Sequence, residues 1–167
     1  TELLGHLQAI SRVISSKNTL PILDNFLFNI SGNDLEITAS DLESTLITRM
    51  RLDNITGSGT IALPARILLD TLKEFSEQPL TFDINPDTLA VVINSENGRF
   101  SIVGQNGIDF PMLPVIKKEK RFNFSVAADV LLAGISRTLF ATADDELRPV
   151  MGGILVEATT EKLTFVA

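Results

Sequence analysis

Leu7-Gln8-Ala9-Ile10-Ser11-Arg12 returns later in the chain as Leu132-Ala133-Gly134-Ile135-Ser136-Arg137. Leu20-Pro21-Ile22-Leu23 returns as Arg148-Pro149-Val150-Met151. Asp34-Leu35-Glu36-Ile37-Thr38-Ala39 returns as Glu161-Lys162-Leu163-Thr164-Phe165-Val166-Ala167, with Leu35 on Leu163 and Ala39 on Ala167. The order is the same in both copies, and only a few residues are inserted between the matched words. Self-similarity of this kind means that one folding unit is used twice. The second copy is less than half complete when the chain ends, inside an apolar run that reads as a strand, and the chain opens on Thr1 rather than Met. The expectation is a fragment of a longer protein built from similar domains.

The first copy sets out the elements. Leu3, Leu7, Ile10 and Ile14 have helical spacing within Glu2 to Ile14. Lys17-Asn18-Thr19 breaks that pattern and Pro21 forbids continuing it. Leu23 to Ile30 reads as a strand on the alternation of Phe26, Phe28 and Ile30, Ser31-Gly32-Asn33-Asp34 as a turn, and Leu35 to Ala39 as the next strand. Leu42 to Leu52 alternates as well, Gly57 and Gly59 mark a turn, and Thr60 to Leu63 is a short strand. Pro64 then sits where a helix tolerates proline, in its first turn. Ile67, Leu68, Leu72 and Phe75 make the apolar stripe of that helix, with Arg66 and Lys73 on its opposite side. Leu80 to Ile84, Leu89 to Asn94 and Arg99 to Val103 are three further strands.

The first domain therefore reads helix, strands, helix, three strands, as if a half-unit were itself used twice. A third copy begins at Phe122, with a helix near Ala128 to Leu139 and strands at Met151 to Glu157 and Leu163 to Ala167. The fold class expected is α+β and internally duplicated. Apolar stripes on each helix need a common sheet to cover them, so the helices should lie on one face of mostly antiparallel sheets.

Composition narrows the chemistry. A hydrophobic fraction of 44% over 167 residues is enough to bury a real core, yet no run is long and apolar enough to span a membrane. No signal peptide is recognisable. Cysteine is absent, which excludes disulfides and thiolate metal sites and fits a cytoplasmic protein. The formal net charge of −7 weighs against nucleic-acid binding by the whole surface, though not by a local basic face.

Candidate catalytic and metal groups do not converge. His6 is the single histidine, so triad or histidine-based metal chemistry has little to work with. Asp144-Asp145-Glu146 has no His or Cys nearby, and adjacent acids in a loop usually face water. Asp41 and Glu43 have strand spacing but no third partner, which leaves a turn-capping Asp as the plainer reading. Gly57-Ser58-Gly59 lacks the lysine and the helix of a phosphate loop. No cofactor, metal site or catalytic residue is expected.

Five words in order carry a resemblance: Thr19-Leu20-Pro21-Ile22-Leu23, Ala39-Ser40-Asp41-Leu42-Glu43, Leu63-Pro64-Ala65-Arg66, Asp109-Phe110-Pro111 and Arg148-Pro149-Val150-Met151-Gly152-Gly153. Together, at this spacing, they resemble the bacterial DNA polymerase III beta subunit family, the sliding clamps, over essentially the whole chain. The resemblance implies three similar domains per subunit. Residues 1–114 would be the first clamp domain without its opening strand, 115–121 a linker, and 122–167 the first part of the second domain. It implies helices on an inner face and sheets on an outer face. Two subunits would close head to tail as a homodimeric ring around duplex DNA, without sequence preference, and tether the replicative polymerase. The family performs no bond chemistry itself. Polymerase and clamp-loader subunits dock through short peptide motifs in an apolar pocket.

The same resemblance assigns candidate residues. Arg12, Lys17, Arg66, Lys73 and Arg137 lie on or beside predicted helices and would face phosphates, against the plainer reading of solvated helix residues. Asp70, Glu74 and Glu77 share the second helix, so its charge is mixed. Arg148, Val150 and Met151 fall where the peptide pocket begins, against a reading of Met151 as strand core. Phe100 and Ile102, with Ile67 and Phe75 nearby, would form the dimer interface, against ordinary core packing. Two alternatives stay open: a peptide-binding replication scaffold that does not touch DNA, and a metal-dependent nuclease.

Overall fold

The computed structural model describes residues 1–15, 18, 20–96, 98–112, 123–143, 145 and 147–167. The chain divides into two units, Thr1–Pro114 and Val115–Ala167. The linker expected at 115–121 lies outside the described residues.

The first unit opens with helix α1 (Glu2–Ile10). The Thr1 hydroxyl accepts the Leu4 backbone N–H at 3.4 Å, satisfying one of the donors that a helix start leaves free. A 3-10 turn, Ser11–Val13, follows, so the α-helix is shorter than the apolar spacing through Ile14 predicts. Pro21 begins a second 3-10 turn, Pro21–Asp24, which removes Leu23 from the strand expected there. Asn25 is buried and polar, and its side-chain amide donates to the Ile22 carbonyl at 2.9 Å.

Strands β1 (Asn25–Ser31), β2 (Asp34–Ser40), β3 (Thr45–Arg51), β4 (Gly59–Pro64) and the short β8 (Gln105–Asn106) form one sheet in the order β3-β2-β1-β4-β8. Every pairing is antiparallel. Phe28 stands opposite both Ile37 and Ile61, and Ile37 opposite Thr48, so one row across the sheet faces the helices. Period-two alternation puts Glu36 and Arg49 on the other face. The exit from β8 needs glycine: a Cβ on Gly107 would lie 2.7 Å from Thr60.

Helix α2 (Ala65–Glu74) follows β4 directly. Pro64 is the last residue of β4 and the cap of α2, not a member of its first turn. Strands β5 (Thr81–Ile84), β6 (Ala90–Ser95) and β7 (Gly98–Val103) make a second antiparallel sheet in that order. One core joins the elements: Leu7 and Ile10 of α1, Leu68 and Leu72 of α2, Phe26, Phe28, Ile37, Ile61 and Leu63 of the larger sheet, and Val91, Ile93 and Ile102 of the smaller. The helices touch each other, and they lie to one side of antiparallel sheets as expected.

Further details of the first unit depart from the sequence reading. The strand after β2 begins at Thr45, not Leu42, because Leu42 sits in a tight turn at φ 79°. Asp41 makes that turn: its Oδ1 accepts the backbone N–H of Glu43 at 3.0 Å and of Ser44 at 2.6 Å. On α2, Ile67 is 50% exposed and does not join the buried stripe, which runs through Ala65, Leu68, Thr71 and Leu72.

The second unit holds helix α3 (Ala128–Thr138), a 3-10 turn at Pro149–Gly152, and the antiparallel strands β9 (Leu155–Ala158) and β10 (Leu163–Val166). Met151, expected to open a strand, sits in the 3-10 turn instead, because Arg148-Pro149 turns the chain before it can extend. Helix α3 packs on β10. Gly134 makes that approach possible, since a Cβ there would lie 2.5 Å from the Phe165 ring.

Candidate nucleic-acid interface and docking turn

Burying Leu68 and Leu72 fixes the rotation of α2 and so decides what it shows to water. Arg66, Asp70 and Lys73, at i, i+4 and i+7, fall on one exposed face. Arg66 is placed against local preference, because a cation in the first turn meets the positive end of the helix dipole. Lys73 sits in the last turn, where a cation is favoured. Its ammonium donates to Asp70 Oδ1 at 3.0 Å, with both side chains more than half exposed. Such a pair is worth little and exchanges readily with water or another anion. Arg12 is exposed on the 3-10 turn that follows α1.

The arginines of the larger sheet behave differently. Arg49 meets Glu36 at 2.7 Å through Nη2 and donates through Nε at 2.7 Å, and Arg51 approaches Asp34 at 3.8 Å. These are cross-strand partners in the β2–β3 register, on the face turned away from the helices. Arg12 and Arg66 have no carboxylate partner among the described residues. Arg99, exposed on β7, has none either, so the contrast belongs to the larger sheet and its helices. Lys17 lies outside the described residues. The neighbouring Asn18 donates to Asp24 Oδ1 at 2.8 Å, in the 3-10 turn before β1. Arg137 is exposed in the last turn of α3, in the second unit.

The expected interface residues separate by burial. Strand β7 is an edge of its sheet. Phe100 is 42% exposed there, whereas Ile102 is core. On α2, Ile67 is exposed, and Phe75 is half-buried against the core at the helix end.

In the second unit, Val150 and Met151 are both exposed on the 3-10 turn Pro149–Gly152. That turn is held at both ends. Ala143 N–H donates to the Met151 carbonyl at 2.9 Å, and Met151 N–H to the Arg148 carbonyl at 2.9 Å. Asp145 holds Arg148 itself: its Oδ2 accepts from Nε at 2.8 Å and lies 2.8 Å from Nη2. Its Oδ1 accepts the backbone N–H of Leu147 at 2.9 Å. Sequence reasoning considered Asp145 only within an acidic cluster, whose other members Asp144 and Glu146 lie outside the described residues. The missed signal was an Asp three residues ahead of an Arg that precedes proline. Among the described residues, no three His, Asp or Glu side chains converge as a metal site would need, and no helix is long and apolar enough to cross a membrane.

Comparison with known proteins gives consistent matches. A family model described as the DNA polymerase III beta subunit, N-terminal domain, matches residues 1–114. The beta sliding clamp of Synechocystis sp. is 34% identical over 174 residues, covering 100% of this chain and 44% of that protein. A crystal structure of the DNA polymerase sliding clamp from Pseudomonas aeruginosa with ligand superposes with a TM-score of 0.84 at 32% identity, over 96% of this chain and 43% of that one. A sliding clamp from the same organism bound to griselimycin gives a TM-score of 0.81 at 32% identity, over 93% and 42%. The chain spans less than half the length of these relatives.

Proposed function

Since the chain belongs to the DNA polymerase III beta subunit family, whose N-terminal-domain model covers residues 1–114, we propose that it is part of a sliding clamp. In this reading the whole protein closes as a homodimeric ring around duplex DNA in the cytoplasm and tethers the replicative polymerase. The helix side of the first unit faces the phosphates. Arg12, Lys17, Arg66 and Lys73 supply charge there, with Arg137 on the corresponding helix of the second unit. Phosphate contacts hold DNA without reading its sequence, which suits a ring that must slide. No step of this function makes or breaks a bond, and none calls for a cofactor.

The observation that carries the reading is the pairing pattern of the arginines. Arg49 is held by Glu36 at 2.7 Å, and Arg51 lies 3.8 Å from Asp34, on the face of the larger sheet turned away from the helices, whereas Arg12 and Arg66 on the helix side have no carboxylate partner among the described residues and can meet another anion. Polymerase and clamp-loader subunits dock at Arg148, Val150 and Met151 through short peptide segments. The exposed edge at Phe100, with Ile67 beside the helix stripe, serves ring closure, and Ile102 and Phe75 support it from within.

The test is Arg12→Glu with Arg66→Glu in the whole protein, titrated with duplex DNA over a salt series. Every phosphate that is no longer neutralised should lower the slope of log affinity against log salt by about 0.9. Unchanged affinity and slope at low salt would show these arginines to be bystanders.

A further inference from the structure

We infer that Asp145 is a positioning residue for peptide docking, acting through Arg148. The inference rests on the reading of the Pro149–Gly152 turn as a docking site. One carboxylate does two jobs. Its Oδ1 caps the Leu147 N–H at 2.9 Å and its Oδ2 takes the Arg148 guanidinium through Nε and Nη2, both at 2.8 Å. The Asp145 carbonyl also accepts the Arg148 N–H at 3.2 Å. Arg148 is thus fixed in backbone and side chain at the residue before the turn.

From Arg148 the constraint runs along the chain. Its carbonyl accepts the Met151 N–H at 2.9 Å, and the Met151 carbonyl in turn accepts the Ala143 N–H at 2.9 Å. The loop therefore closes on itself, with Val150 83% exposed and Met151 50% exposed on its surface. Exposed apolar side chains on a short turn bind well only when the turn is already ordered, because ordering it on binding costs affinity. The Asp145 side chain is 24% exposed and that of Arg148 70% exposed, so the ion pair is anchored at the acid and open at the guanidinium. The open edge of Arg148 is left to meet a carbonyl or carboxylate of a docked peptide.

The experiment measures griselimycin affinity by calorimetry on the whole protein and four variants: Val150→Asp, Arg148→Ala, Asp145→Asn, and Asp145→Asn with Arg148→Ala. Asn keeps an oxygen to cap Leu147 but gives up the ion pair. Asp145→Asn should weaken griselimycin about two- to fivefold, the range of a partly exposed ion pair. Arg148→Ala should weaken it at least as much, and the double variant no more than Arg148→Ala alone. Melting curves on each variant separate weaker binding from failure to fold, and Asp145→Ser replaces Asp145→Asn if the latter does not fold. Wild-type affinity in Asp145→Asn, or additive losses in the double variant, would overturn the inference while leaving the docking site intact. Wild-type affinity in Val150→Asp would overturn both.

Discussion

Leu72→Ala and Ile67→Ala lie on the same helix and should differ several-fold in their cost to stability. Leu72 is 0% exposed and packs in the core shared by α1, α2 and both sheets, so truncating it leaves a cavity in that core. A loss of about 3 kcal/mol is expected, within the range for buried leucines. For a unit near a hundred residues this lowers Tm by about 10 to 15 °C. Ile67 is half exposed, and its truncation should cost no more than about 0.5 kcal/mol. The chain has no Trp and no Tyr, so unfolding is best followed by circular dichroism at helical wavelengths in a urea series. Equal losses at the two sites, or a larger loss at Ile67, would mean that α2 is rotated from the orientation described. Arg66, Asp70 and Lys73 would then not share the exposed face, and the phosphate reading would lose its footing.

Three further outcomes follow from individual interactions. Leu42→Gly should be neutral or stabilising by up to about 1 kcal/mol in the same urea series, because φ 79° strains leucine and the side chain is largely exposed. Asp41→Ala should destabilise by about 1 to 2 kcal/mol through two uncapped N–H groups, and a melting curve unchanged from wild type would contradict the turn described. Gly134→Val should raise amide exchange across α3 and β10 together, since its side chain would enter the space of the Phe165 ring; exchange confined to α3 would argue against that packing.

The fold was largely legible because its signals are periodic. Alternation at Phe26, Phe28, Leu35 and Ile37 and the helical spacing of Leu7 and Ile10 describe faces that the core then uses. The duplication and the five shared words led to the family that the comparison bears out. What was misread is aperiodic. Leu42 continues an alternating pattern, but Ser40 and Asp41 bind the backbone of their own turn and end the strand. Ile67 adjoins Leu68 in sequence, yet a helix rotates neighbours by about a hundred degrees, and only the position of the sheet decides which is covered. Pro64 marked the start of α2 to within one residue, as its fixed φ suits either side of that boundary. At the candidate site, residue types showed where cations lie but not which are already paired. The partners of Arg49 and Arg148 become visible only when strand register and turn geometry are known, whereas Asp70 lies one helical turn before Lys73 and was within reach of the sequence.

A ring that encircles DNA is held by topology rather than by affinity, and that distinguishes a clamp from any protein with a basic face. The whole protein should be loaded on nicked circular duplex and on the same duplex after linearisation, then challenged with high salt. Salt weakens phosphate contacts on both. Retention on the circle, with release when a nuclease opens it, is the result expected of a clamp. Equal loss from circular and linear DNA would contradict encirclement and leave only surface binding.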